Sequence, residues 1–286
     1  MLPYFLGCPS WSEAAWRGSV YPRDARPADC LSHYCRLFNA VEGNTTFYAR
    51  PSAATVQRWL GQMPAGFRFC AKLPRDISHA GDLREQLAAA DEFRRLLAPL
   101  GARVAPFWLQ LPASFGPQRL AELSTFIEHW RGSDLAIEVR HPAFFARGEE
   151  ERALNRLLRD RAVERICLDS RALFSCRSDA TAVRHAQAKK PHLPLRPTAF
   201  SPAPQLRFIG GPDLQANEPF LEPWLDRVAA WIEQGLRPHV FLHTPDNHLA
   251  AAQARRFHEL LGERLPGLPA LAAVPADDQG GQLGLL

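Results

Sequence analysis

The sequence predicts an α/β fold, a parallel (β/α)8 barrel of the TIM type in a single domain. Short apolar runs alternate with longer helical patterns, and polar and apolar residues alternate within the short runs. The length of 286 residues suits one large α/β domain. We place this domain at residues 1–264 and expect a Pro- and Gly-rich tail at 265–286 to be partly disordered.

Eight short runs are the candidate strands of the barrel. They span residues 4–7, 40–44, 67–73, 106–111, 135–140, 165–169, 206–209 and 239–243. Between them, apolar residues recur at spacings of three and four, which predicts helices that cover the sheet. Ser52 marks a predicted helix start, and Gly132 and Gly235 follow predicted helix ends. We expect any irregularity of the barrel in its last strands.

One segment, 171–205, interrupts the alternation of strands and helices. It is long, rich in proline near its end, and carries the pair Lys189 and Lys190. Loops of this length in compact domains commonly serve as lids or binding loops. We therefore expect a long loop over the mouth of the barrel.

Alternation within the strands predicts which side chains point into the barrel. In the fifth strand Ile137 and Val139 share one parity, whereas Glu138 and Arg140 share the other. The same rule places a further set inward: Glu42, Asn44, Arg68, Cys70, Lys72, Trp108, Gln110, Cys167, Asp169, Arg207 and His243. Several of these stand at the last positions of their strands. We expect them to gather at the carboxyl end of the barrel, where enzymes of this architecture have their sites.

Composition argues against several classes of protein. The sequence is 46% hydrophobic and 22% charged, and no run approaches the ~18 apolar residues of a membrane span. The six cysteines are scattered, and the first ten residues lack a secretion pattern, so we expect a cytoplasmic protein with reduced thiols. The net charge is +4, but the arginines are dispersed. We expect a small-molecule ligand, with no nucleic acid and no membrane as partner, and leave the oligomeric state open.

Motifs along most of the chain resemble those of the YecE-like family, domain of unknown function 72. They are Gly7 with Ser10 and Trp11, Trp16 with Gly18 and Tyr21, FNAVEGNTTFY at 38–48, FRFCAKLP at 67–74 with Arg75 and His79, QLPASF at 110–115, EVRH at 138–141, Asp169, Arg207, and Trp231 with Gly235. The resemblance implies a TIM-type barrel with a pocket formed by these motifs, and the family label assigns no activity. The chain departs from the family pattern at Cys8, Gly43, Ile209 and 243–247.

The inward residues predict an enzyme acting on a small anionic or polyhydroxylated ligand. We expect acid–base chemistry from four catalytic residues: Glu42, Lys72, Glu138 and Asp169. The candidate substrate-binding residues are Trp11, Asn44, Tyr48, Gln110, Arg140, His141 and Arg207. Gly210 and Gly211 follow the seventh strand, where many barrels bind phosphate, so a phosphorylated ligand is one expectation.

Three alternatives remain open. The inward charges balance, so they can form a purely structural ion-pair network. A metal-dependent hydrolase or isomerase would draw on oxygen and nitrogen donors, although no HxH or HExxH spacing is present; these donors are Glu42, Glu138, His141, Asp169, His243 and Asp246. A non-catalytic module would bind a ligand or nucleic acid through Trp11, Trp16 and Tyr48. We find no organic cofactor motif and assign no metal ligand, while a divalent metal stays an option.

Overall fold

The computed structural model describes residues 1–273, and the part of the predicted tail at 274–286 lies outside these residues. The strands are short, parallel and buried. They are β1 (Phe5–Cys8), β2 (Ala40–Gly43), β3 (Arg68–Ala71), β4 (Phe107–Gln110), β5 (Leu135–Glu138), β6 (Glu164–Arg165), β7 (Cys167–Asp169), β8 (Gln205–Ile209) and β9 (His239–His243).

Helices follow most strands. They are α1 (Cys30–Leu37), α2 (Thr45–Tyr48), α3 (Ala53–Gln62), α4 (Arg75–Ser78), α5 (Leu87–Leu97), α6 (Leu120–His129), α7 (Glu149–Arg159), α8 (Arg171–Ser175), α9 (Thr181–Lys189), α10 (Leu214–Glu233) and α11 (Ala250–Arg264), with 3-10 helices at Ala14–Trp16, Leu83–Gln86, Ala98–Arg103, Pro117–Arg119 and Pro142–Phe145. The predicted start at Ser52 is confirmed, because its side chain accepts a hydrogen bond from the Thr55 amide. Within residues 1–273 no helix has both the length and the apolar character needed to cross a membrane.

The strands form two parallel sheets. One has six strands in the order β3-β2-β1-β9-β8-β7, and the other has three in the order β4-β5-β6. The α/β class with parallel strands is thus confirmed, but the strands are divided between two sheets rather than joined in one. An isolated bridge between Lys72 and Trp108 links β3 to β4, and the Leu73 amide donates to the Trp108 carbonyl at 2.8 Å.

The second boundary between the sheets falls where the sequence predicts one strand at 165–169. Two strands, β6 and β7, meet there at Ile166, whose amide donates to the Ile137 carbonyl at 2.9 Å. Ile166 packs with the inner apolar cluster and Cys167 with the outer one, so the predicted parity of this strand is wrong. Alternation continues through the break, because Arg165 donates to the Phe144 carbonyl on the helix side, Ile166 lies on the inner face and Cys167 lies on the helix side again. The predicted parity fails because it placed the polar residues of this strand on the inner face.

A separate apolar layer lies on the face of the strands opposite the larger apolar cluster. It consists of Phe5, Ala40, Cys70, Trp108, Ala136, Ile166 and Phe241. In β5, Ala136 belongs to this layer and Glu138 stands two residues later on the same face; Cys70 and Lys72 are related in the same way. The charged residues therefore form the next layer toward the carboxyl ends of the strands. The larger apolar cluster lies between the strands and the helices.

Segment 171–205, predicted as a long loop, contains the helices α8 and α9. Gln187 on α9 donates to the carbonyls of Leu173 and Cys176, both at 3.0 Å, and so attaches α9 to α8. The Ser170 hydroxyl donates to the Pro191 carbonyl at 2.8 Å. Residues 170 and 191 are therefore held together, and the chain between them forms a closed excursion from the end of β7.

Candidate functional site

Glu42, at the carboxyl end of β2, is the centre of a fully buried cluster of charges. Lys72 Nζ donates to Glu42 Oε1 at 2.8 Å. Arg207 reaches the same carboxylate with two nitrogens, at 2.9 Å and 3.1 Å. His243 Nε2 lies 2.6 Å from Glu42 Oε2. One carboxylate thus holds side chains from β8, β9 and the end of β3.

A second buried carboxylate, Glu138 at the end of β5, extends the cluster. Arg140 Nε donates to Glu138 Oε1 at 2.7 Å, and Arg207 Nη1 donates to Glu138 Oε2 at 3.1 Å. Arg207 therefore bridges the two carboxylates. We call this set the buried ion network: Glu42, Lys72, Glu138, Arg140, Arg207 and His243.

Both carboxylates of the network are ionised at neutral pH. Burial alone would raise the pKa of Glu42, but the charges of Arg207 and Lys72 outweigh burial and hold this pKa well below its usual range. For Glu138 the same opposition, with Arg140 and Arg207 as the main cations, lowers the pKa to about 2. Neither acid is a proton donor in this state.

The two remaining titratable members of the network are shifted mainly by burial. Burial, with the nearby charge of Arg207, lowers the pKa of Lys72 to about 8, so that its ammonium can lose a proton close to neutral pH. Burial also lowers the pKa of His243 to about 3. His243 is therefore neutral and donates its Nε2 hydrogen to Glu42.

A pocket of about 610 Å³ opens over the network. Its charged lining is entirely cationic among the described residues, and we call it the cationic pocket: Lys72, Arg75, Arg140, Lys189, Lys190 and Arg207. Glu42 and Glu138 are buried and do not line it. Asn44 and Gln110 supply neutral polar groups, and the ring of Tyr48, 81% exposed, stands at its edge.

The structure brings six of the predicted site residues to this pocket: Asn44, Tyr48, Lys72, Gln110, Arg140 and Arg207. Asn44 lies directly after β2, and its Oδ1 accepts from Lys72 Nζ at 2.7 Å while its Nδ2 donates to the Pro9 carbonyl at 3.0 Å. It thereby connects the Lys72 amine to the β1 end of the pocket.

Asp169 lies apart from the pocket lining. Its carboxylate accepts from the Arg171 side chain and from Trp224 Nε1, which lies 2.8 Å away on α10. Asp169 shares the parity of Cys167 and therefore lies on the helix side of β7. The position suits the attachment of α8 and α10 to the sheet.

Trp11 and His141 also do not line the pocket. The Trp11 ring packs edge-on against Trp59, with centroids 5.5 Å apart. His141 Nδ1 accepts from the Ala143 amide at 3.2 Å and so begins the 3-10 helix Pro142–Phe145. Both contacts are structural.

The predicted phosphate contacts at Gly210 and Gly211 are occupied by protein groups. The Gly210 amide donates to the His243 carbonyl at 2.9 Å, and the Gly211 amide donates to Asn217 Oδ1 at 2.7 Å. Asn217 Nδ2 also lies where a Cβ on Gly210 would clash, at 2.6 Å. These glycines therefore serve close packing with α10, and the expectation of a phosphate site on their amides is wrong.

Other pocket residues were not assigned by sequence reasoning. Arg75 and His79 follow the motif that contains Lys72, and the adjacent pair Lys189 and Lys190 comes from the closed excursion after β7. In the sequence, this lysine pair was the feature that pointed to positive charge within the excursion. Burial lowers the pKa of His79 to about 4, so this ring adds no charge at neutral pH.

The donors considered for a metal do not assemble. Residues 1–273 contain no group of three or more His, Cys, Asp or Glu side chains placed to hold a metal ion. The Glu42 and Glu138 oxygens are in contact with Lys and Arg nitrogens instead. Cations and a metal ion would compete for the same oxygens.

Comparison with known proteins agrees with this description over most of the chain. A family model described as "Protein of unknown function DUF72" matches residues 5–278. The UPF0759 protein YecE of Escherichia coli is 41% identical over 273 residues, which cover 95% of this chain and 97% of that protein.

Two solved structures share the fold at low sequence identity. A DUF72 family protein from Enterococcus faecalis superposes with a TM-score of 0.67 at 16% identity, covering 91% of this chain and 95% of that chain. A DUF72 family protein from Thermotoga maritima gives a TM-score of 0.66 at 21% identity, covering 90% and 98%. With the sequence match over nearly the whole length, the chain belongs to the DUF72 family.

Proposed function

We propose that this protein is an enzyme that binds a small anionic ligand, with a phosphate or carboxylate group, in the cationic pocket. The observation that carries this proposal is the imbalance of charge there. Lys72, Arg140 and Arg207 face two buried carboxylates, whereas no carboxylate within residues 1–273 forms an ion pair with Arg75, Lys189 or Lys190. The pocket therefore presents excess positive charge, which attracts and orients anions.

The size and neutral lining of the pocket support the same ligand class. A volume of about 610 Å³ falls within the ~300–1,000 Å³ typical of small-molecule sites. The amides of Asn44 and Gln110 and the phenol of Tyr48 can hydrogen-bond to the hydroxyl groups of a polyhydroxylated ligand. An anion with a sugar-like portion would use both parts of the lining.

For the reaction, we propose Lys72 as the group that exchanges a proton with the ligand. Its amine lines the pocket, and its pKa of about 8 lies near the operating range of acid–base catalysts. Glu42 and Asn44 fix the position of this amine. Glu138 orients Arg140 and Arg207, so its own role is positioning.

Calorimetric titration with ribose 5-phosphate and with ribose tests the proposal. We expect the phosphorylated sugar to bind and ribose not to bind. Arg75→Ala removes a pocket cation outside the buried ion network, and loss of one charge-assisted contact should weaken binding about tenfold or more. The control is Arg95→Ala, an exposed arginine on α5 away from the pocket. Equal effects of the two substitutions, or equal binding of ribose, would contradict an anion site.

We also propose that the two sheets join into one closed eight-stranded barrel forming a single domain, with β6 and β7 acting as one broken strand. Support comes from the backbone hydrogen bonds that cross the two boundaries, donated by the amides of Leu73 and Ile166. Hydrogen exchange measures these contacts: both amides should exchange as slowly as those inside β3. Fast exchange at either position would mean an open boundary.

A further inference from the structure

We propose that Lys190 forms an imine with a carbonyl group of the anionic ligand, which places aldehydes and ketones with a phosphate or carboxylate among the substrates. This inference rests on the proposed anion site and adds a covalent role for a residue of the pocket. The chemistry follows from the position and the surroundings of the Lys190 amine.

Lys190 directly follows α9 and is held at the pocket wall from both sides. On its amino-terminal side, Gln187 is bonded to the carbonyls of Leu173 and Cys176. On its carboxyl-terminal side, the Pro191 carbonyl accepts from the Ser170 hydroxyl at 2.8 Å. The backbone that carries Lys190 is therefore attached at adjacent points to the excursion and to the end of β7.

The three lysines of the chain differ in what their amines contact. Lys72 donates to Glu42 at 2.8 Å and to Asn44 at 2.7 Å. Lys189 is exposed at the rim, whereas Lys190 is partly buried and lines the pocket. Within residues 1–273 the Lys190 amine makes no hydrogen bond or ion pair. It is thus available to a ligand.

The charges around Lys190 favour a neutral amine. Burial, followed by the positive charge of Arg207, lowers the pKa of Lys190 from 10.5 to about 7, and Lys72 acts in the same direction. Glu42 and Glu138 oppose the shift but are already in contact with other cations. A pKa near neutral pH gives part of the Lys190 amines the free lone pair that a nucleophilic lysine requires.

The proposed step needs no added oxidant or reductant. The Lys190 nitrogen lone pair attacks the carbonyl carbon, and the carbonyl π electrons move to oxygen, which takes up a proton. The nitrogen then forms the C=N bond as the hydroxyl leaves; both amine hydrogens end in the released water. The cationic pocket holds the anionic group of the ligand, which keeps the carbonyl close to the amine.

Borohydride trapping with pyridoxal 5′-phosphate, an aldehyde that carries a phosphate, tests the inference. After reduction of the imine, peptide mapping locates the adduct among the three lysines and the amino terminus. We expect Lys190 to be labelled at least about tenfold faster than Lys189. Lys190→Arg should abolish that adduct, and the matched Lys189→Arg should retain it.

Three outcomes separate this inference from the proposed function. If inorganic phosphate slows the labelling of Lys190, the result supports both the proposed anion site and the imine at Lys190. Binding of ribose 5-phosphate without preferential labelling of Lys190 overturns the imine and leaves the anion site standing. Equal labelling of Lys190 by pyridoxal 5′-phosphate and by pyridoxal supports a reactive amine and contradicts the role of the cationic pocket. Mapping on the unsubstituted protein gives a result even if one variant does not fold.

Discussion

Replacement of Glu42 by Gln tests whether the buried ion network determines the stability of the fold. Glu42→Gln keeps the size of the side chain but removes the charge opposite Lys72 and Arg207. Arg207 retains Glu138 at 3.1 Å, whereas Lys72 retains only the neutral Asn44. One buried cation is then left without a countercharge, which costs about 3–5 kcal/mol of folding free energy.

A second substitution shows whether the unpaired Lys72 causes the loss. In Glu42→Gln/Lys72→Met the cation is removed as well, so we expect the double variant to recover about 2 kcal/mol or more relative to Glu42→Gln. The matched control is Glu149→Gln. Glu149 also contacts two arginines but is 63% exposed, so its loss should cost much less than the loss of Glu42.

Urea unfolding gives the free energy of unfolding of each variant by linear extrapolation. A cost for Glu42→Gln no larger than that for Glu149→Gln would refute the assignment of a tightly paired, desolvated carboxylate. The single variant Lys72→Met completes the cycle. A loss in the double variant equal to the sum of the Glu42→Gln and Lys72→Met losses would refute the coupling between Glu42 and Lys72.

Two further predictions concern stability. A Cβ on Gly7 would lie 2.0 Å from the Ala40 carbonyl oxygen, so Gly7→Ala should lower the free energy of unfolding by about 3 kcal/mol or more. Gly61 lies inside α3 with open space around it, so Gly61→Ala should raise the free energy of unfolding by up to about 1 kcal/mol. Equal urea midpoints for the two variants would contradict this. Burial lowers the pKa of His239 to about 3, below the ~6.5 of an unfolded histidine. Between these two pH values the unfolded state binds more protons than the folded state, so the free energy of unfolding falls as the pH drops from about 6.5 toward 3. His239→Phe should flatten this part of the pH–stability curve, and the exposed His185→Gln should leave it unchanged; an unaltered curve in His239→Phe would count against a buried neutral imidazole.

The charged centre of the site could be predicted because it depends on local properties. Strand alternation and the common direction of parallel strands place Glu42, Lys72, Glu138 and Arg207 on one face near the strand ends. The structure brings these four together in one network. Strand alternation and strand direction can both be inferred without knowing how distant segments of the chain pack.

Asp169 and Lys190 were beyond local reasoning for two different reasons. Asp169 lies on the helix side because this strand turns the apolar Ile166 to the inner face and Cys167 to the helix side. Which face of so short a strand turns inward is decided by the packing of the assembled sheets. Lys190 is held at the pocket because the carbonyl of the next residue, Pro191, accepts from Ser170, 21 positions earlier in the chain, and no periodicity predicts such a contact.

The hydrogen bond between Ser170 and Pro191 bears on which parts of the sequence can be replaced without loss of the fold. The ends of the excursion lie side by side, and such closed segments tolerate replacement or shortening better than segments whose ends span the fold. The strands already pair their own charges, whereas the excursion packs on the sheet through Leu173, Val183 and Ala186, which form a buried cluster with Ile209 of β8. On our proposal, an exchange within residues 171–190 that keeps these apolar contacts would change the Lys190 amine, and with it the ligands of the pocket, while the buried ion network stays in place.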